Sequence, residues 1–237
     1  MRNIFRLIGL VVAFMAVVSC CSRNNRLTKP DRDIPIDPAS VLYIMGSNIL
    51  TNVTISGSGI IIDSNETESW ALTAGHVCYP NVDDPFIMVP ELWVLLGVSL
   101  NGESEFADVI AIDQTSDACV LRLPMGNLPV VELANAMPAI GQKVYLGAYP
   151  LGVYQVGHVP FFEGYYAGII NDKASYTIPV TNGSSGGGII NSRGQVVGIV
   201  SMAINGFENI TLTTKLQDIQ NLLAVAKQSP HRLTIVR

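Results

Sequence analysis

The chain has 237 residues, a net charge of -5 and a pI near 5.1, and only 14% of its residues are charged. An acidic, charge-poor chain offers no basic surface to a phosphate backbone, which argues against nucleic acid as a partner. Its length suits one large domain or two small barrels sharing a core.

The first residues, MRNIFRLIGLVVAFMAVVSCC, set Arg2 and Arg6 before an apolar run from Leu7 to Val18, the layout of a secretory signal peptide. The run is short for a membrane span, and the polar stretch SRNNRLTKPDRDIPIDP follows it. Its end, Val17-Val18-Ser19-Cys20, resembles the bacterial lipobox, in which the cysteine is lipidated and becomes the mature N-terminus. Residues 1–19 are therefore expected to form a lipoprotein signal and 20–40 a linker, with Cys20 anchoring an extracytoplasmic protein to a bacterial membrane. Cleavage and secretion, also to a periplasm, or retention as an uncleaved anchor are the alternatives. Cys78 and Cys119 are then the thiols of the folded body, in a compartment that permits disulfides. They either pair or sit unpaired as small apolar residues.

From Val41 onward the chain reads as short strands separated by turn residues: VLYIM, NVTISGSGIIID, SWALTA, PFIMVP, ELWVLLGVSL, EFADVIAID and ACVLRL. After PMGNLP the pattern resumes with VVELA, QKVYLGAYP, VYQVGHV, FFEGYYAGIIN, ASYTIPV, GGIIN, QVVGIVSMAI and NITLTT. Many short strands with few helical stretches indicate an all-β sandwich or barrel. The break between Pro124 and Pro129 divides them into two groups, which predicts two packed antiparallel barrels over 41–126 and 127–214. In KLQDIQNLLAVAK, Leu216, Ile219, Leu222, Leu223 and Ala226 recur at helical spacing, predicting a helix over 215–228 that docks on the last barrel. Pro230 limits its extension, leaving 229–237 as a tail.

TNGSSGGGII, residues 181–190, has the composition of a linker, yet β-branched and aromatic residues flank it on both sides, which favours a tight turn between strands. A serine in such a turn becomes nucleophilic only with a base, and the base works best when a carboxylate fixes its tautomer. Three histidines are available. His76 ends an apolar strand in SWALTAGHVC. His158 sits mid-strand in YQVGHVPFF, where a packed or half-exposed role is expected, and His231 lies in the tail.

The motifs LTAGHV, SDACVLRL and NGSSGGG resemble, in this order, the histidine, aspartate and nucleophile motifs of trypsin-like (chymotrypsin-fold) serine proteases. SGSGIIID, VIAIDQTSDACVLRL, VYLGAYPLG and GQVVGIVSM extend the resemblance to HtrA/Deg-type bacterial proteases, over about Val41 to Thr214. The resemblance implies two six-stranded barrels and a triad of His76, Asp117 and Ser185, with the N–H groups of Gly183 and Ser185 as oxyanion hole. Asp113, at the end of VIAID, reads as an ordinary turn residue, and neighbouring Asp108 is set aside. Ser185 is preferred to Ser184 because Gly183 stands two before it and Gly186 and Gly187 follow. The same resemblance implies a substrate-pairing strand at Ser201, Met202 and Ala203, with Ser201 near Asp117, and a specificity pocket floored near Pro179. No acid occupies these positions, so a small or medium apolar side chain is expected at the cleaved residue. The chain departs from the family at Gly75, where alanine is usual, at Ser184, where secreted digestive relatives carry aspartate, and at Gly188.

The expected function is thus a serine endopeptidase acting on protein or peptide substrates, without cofactor or metal. A catalytically silent binding scaffold with the same fold is the alternative. An α/β-hydrolase using Ser185, Asp218 and His231 is disfavoured, since almost no helix precedes the serine. A metal enzyme is disfavoured by the lack of close ligand spacing.

Overall fold

The computed structural model describes residues 34–79, 92–204, 206–228 and 233–236. The signal, Cys20, the run PFIMVP and His231 lie outside the described residues.

The first barrel is built from β1 (Val41–Asn48), β2 (Thr54–Ser64), β3 (Ser69–Thr73), β4 (Trp93–Val98), β5 (Ser104–Asp113) and β6 (Ala118–Leu123). The strands run in the order β5-β4-β1-β2-β3-β6, and pairing of β5 with β6 closes them. The second comprises β7 (Lys143–Gly147), β8 (Phe161–Ile170), β9 (Lys173–Tyr176), β10 (Gly188–Asn191), β11 (Val196–Ile204) and β12 (Phe207–Thr214), closed in the order β10-β11-β12-β9-β8-β7. Closure pairs the terminal strands of each sheet with one another. The result is the predicted all-β pair of six-stranded antiparallel barrels.

Successive strand residues point to opposite faces, and the apolar runs use both faces. Ile61 packs into the first barrel with Leu42, Ile44 and Leu121. Its neighbour Ile60 faces a core between the barrels, with Val41, Leu72, Tyr149, Ile190 and Ile199. A third core fills the second barrel around Val144, Leu146, Tyr176 and Val197. This double burial explains why GIII in β2 is continuously apolar rather than alternating.

Helix α2 (Leu216–Gln228) buries the five residues of the predicted stripe. Ile219 and Leu222 enter the core between the barrels, where each contributes about 2 kcal/mol. The helix touches β5 and β6 as well as β11, so it bridges both barrels instead of docking on the last alone. The tail is also more ordered than expected. Residues Thr234–Val236 form β13, which pairs in parallel with Ala111–Asp113 of β5, beside the half of that strand that β4 leaves free. Two segments read as strands differ: VVELA makes only an isolated bridge at Leu133, and VYQVGHV forms a turn closed by a Gln155–His158 bridge.

Candidate active site

His76 stands on α1 (Gly75–Cys78), a single turn after β3, closed by Val77 N–H to Ala74 C=O and Tyr79 N–H to Gly75 C=O. Its ring Nδ1 lies 3.0 Å from both carboxylate oxygens of Asp117, and its backbone N–H donates to Asp117 Oδ1 at 2.9 Å. An ionised carboxylate only accepts, so Nδ1 carries the proton and Nε2 is left as the basic nitrogen. Gly75 lets the turn approach: a Cβ there would lie 3.1 Å from Asp117 Oδ1 and 3.2 Å from Ala118 N. The departure from alanine at this position thus coincides with a close turn-to-strand contact.

Asp117 immediately precedes β6 in the left-handed region, φ 63°, which aspartate tolerates better than most side chains. Thr214 Oγ1 donates to the carbonyls of Ser116 and Asp117 and fixes that backbone from the second barrel. Ser201 Oγ donates to Asp117 Oδ2 at 2.5 Å. The β11–β12 register shifts between Val200 and Met202, and such a bulge re-aims a side chain. Lys173 Nζ in turn donates to Ser201 Oγ at 3.4 Å. Burial pushes the Asp117 carboxyl up, but the hydrogen bond and charge of His76, the bond from Ser201 and the His76 N–H outweigh it, so the group is held below its ordinary value.

The serine loop turns on Gly183 (φ 85°) and Gly186 (φ 84°), conformations suited to glycine. Asn182 C=O accepts from Leu151 N–H, and Ser184 C=O accepts from Gly187 N–H. Across trans peptides the N–H points opposite to the C=O, so the N–H groups of Gly183 and Ser185 turn away from these partners. Among the described residues neither donates to a backbone carbonyl.

Ser58, fully buried in β2, ties this loop to the first barrel. Its N–H donates to Ser185 C=O at 2.7 Å, and its hydroxyl donates to Gly183 C=O at 2.8 Å while accepting from Tyr149 N–H at 2.9 Å. A Cβ on Gly57 would meet both Val77 and Ser185 C=O, so the serine and histidine segments flank one point of β2. Ser185 is half-buried. Among the described residues the His76 ring bonds only to Asp117.

Asp113 accepts from Thr115 N–H, Ser116 N–H and Ser116 Oγ, a turn role. Asp108 pairs with Arg122 at 2.6 Å, and His158 is exposed. Pro179 and Met202 are exposed and Ala203 half-buried. Met202 and Ala203 pair with β12, whereas β10 pairs with β11 only as far as Ile199, so the opposite edge is open to an added strand among the described residues. Cys78 and Cys119 are joined by a disulfide. Among the described residues no three His, Cys, Asp or Glu side chains gather as a metal site. Sequence reasoning missed Ser58 and Leu151; their sole signal was membership of SGSG and YPLG, whose partners lie far along the chain.

A two-barrel protein with its candidate site at the barrel junction is of the chymotrypsin-like class. The chain belongs to the trypsin-like peptidase family: the family's model, a trypsin-like peptidase domain, matches residues 57–199, more than half its length. It is 28% identical over 172 residues to the mitochondrial serine protease HTRA2 of Drosophila willistoni, covering 68% of this chain and 36% of that protein. It thus spans about a third of the length of that curated relative. Among solved structures, the fold is similar to the Rv3671c protease from M. tuberculosis in its active form (TM-score 0.67, 19% identity, 84% of each chain covered). The serine endoprotease from Yersinia pestis is also similar (TM-score 0.64, 20% identity, 82% of this chain and 65% of that one).

Proposed function

We propose that this protein cleaves protein or peptide substrates outside the cytoplasm through a triad of Ser185, His76 and Asp117. The observation that carries the reading is the two-point hydrogen bonding of His76 to Asp117, at 3.0 Å through the ring and 2.9 Å through the backbone. It leaves Nε2 free of Asp117 and able to act as the base for Ser185.

An extended substrate adds to the open edge at Ser201–Ala203. As it binds, Ser185 Oγ closes on Nε2, a contact that tightens in the substrate-bound state. Nε2 takes the hydroxyl proton while Oγ attacks the scissile carbonyl, and ionised Asp117 stabilises the imidazolium. The oxyanion is held by Gly183 and Ser185 N–H, donors of this kind being worth about 3 kcal/mol each. Nε2 then protonates the leaving amine, and the acyl-enzyme on Ser185 is hydrolysed by water that His76 deprotonates. The absence of acid at Pro179, Ser201, Met202 and Ala203 favours a small or medium apolar residue at the cleaved position. Cys20 supplies the lipid anchor.

Ser185→Ala should abolish peptide hydrolysis with fold and substrate affinity kept; retained turnover would identify another nucleophile. Cys20→Ser should release the protein from membranes, and continued lipid labelling of that variant would contradict the anchor.

A further inference from the structure

The disulfide and the catalytic pair connect the same two segments. Cys78 lies two residues after His76 on α1, and Cys119 two residues after Asp117 on β6, so both links span 41 residues of sequence. The turn α1 has no side-chain cap at its start and is one turn long, too short to hold itself. Val77 and Cys78 pack into the first-barrel core, and among the described residues the polar contacts between the turn and the start of β6 are those of His76 to Asp117. Cys119 is fully buried and Cys78 5% exposed. Cys78 also borders a cavity of about 450 Å3 lined by Tyr79, Trp93, Leu95, Val109 and Ile235, so it is the half of the bridge nearer to solvent.

We propose that the Cys78–Cys119 disulfide positions His76 against Asp117, and that a small dithiol entering through this cavity can open it and so lower activity. The proposal rests on the triad reading. A thiolate of the dithiol attacks Cys78 Sγ; the S–S bond breaks, and Cys119 leaves as a thiolate and takes a proton from water. The second thiol of the dithiol then displaces Cys78, which is protonated, and closes the dithiol's own disulfide. Two electrons and two protons pass to the cysteine pair. The reduced turn keeps its short hydrogen bonds but loses its covalent tie, and His76 samples more orientations. Small misplacements of this kind are costly in the chemical step rather than in binding.

The test treats the full-length protein with a small dithiol and follows peptide turnover together with the low-field proton NMR resonance of His76 Nδ1–H, assigned by its loss in Asp117→Asn. Mass mapping of alkylated peptides reads Cys78 and Cys119 separately from Cys20 and Cys21. Reduction should lower kcat by about ten- to hundredfold, leave KM within about twofold, and broaden the resonance, all restored on reoxidation. Cys78→Ala with Cys119→Ala should show the same loss without dithiol and no further response. Unchanged kcat and resonance in a folded, demonstrably reduced protein or in the double variant would overturn the positioning role, and a bridge that resists the dithiol would overturn its accessibility. Should the double variant fail to fold, reversible reduction of the wild type decides. The resonance reports on His76 and Asp117 whether or not peptides are cleaved. A failure of the triad reading would therefore show as inactivity in both redox states with the resonance still redox-sensitive.

Discussion

Ser201 Oγ, from the second barrel, donates to Asp117 Oδ2, from the first, at 2.5 Å. The acid is thus oriented by both barrels, since its other partners, His76 N–H and Nδ1, lie on α1. Hydrogen bonds to ionised groups contribute about 1.5–3 kcal/mol. Ser201→Ala should lower kcat by about tenfold with little change in KM, because the strand backbone that would pair with substrate is untouched. A matched rise in KM in steady-state kinetics would assign Ser201 to binding instead.

Asp117 gives a pH signature with a fixed sign. Its folded carboxyl is lowered despite burial, owing to His76 and Ser201, so its contribution to stability is fully present above the unfolded carboxylate range and is lost as pH falls through the lowered folded value. Denaturant unfolding of wild type and Asp117→Asn across acidic pH should show the gap between them shrinking as pH falls. A gap that grows on acidification would contradict the sign. The same variant should lose about ten-thousandfold in kcat, because the wrong imidazole tautomer is favoured.

Gly186 cannot carry a side chain. A Cβ would lie 2.1 Å from both Ser58 C=O and Thr73 Oγ1, at φ 84°. Gly186→Ala should destabilise the protein by about 3 kcal/mol or more, from backbone strain and displaced β2 packing. Urea unfolding measures it, and a midpoint equal to wild type would mean that the loop is not seated on β2 as described.

The chain order of histidine, aspartate and serine motifs made the two-barrel architecture legible, and because each motif is local (a strand end, a strand mouth, a glycine turn) it singled out His76, Asp117 and Ser185, of which the first two meet in the structure. The stripe of α2 was equally legible from its period. What it packs against was not, since amphipathicity names a face but no partner. Ser58 escaped for the same reason. Its value lies in hydrogen bonds to Gly183 and Tyr149, 125 and 91 residues away. The pairing of Cys78 with Cys119 stayed open because it depends on a Cα separation that only the fold supplies. VYQVGHV read as a strand from its composition, but Gly157 takes φ 77° within a turn that the Gln155–His158 bridge closes.

The most direct measurement is labelling of the folded protein with a fluorophosphonate probe, which reacts with activated serines, in wild type, Ser185→Ala and His76→Ala. The wild type should be labelled at Ser185, and both variants should lose the label. A folded wild type that is not labelled, or labelling that persists in Ser185→Ala, would contradict the triad.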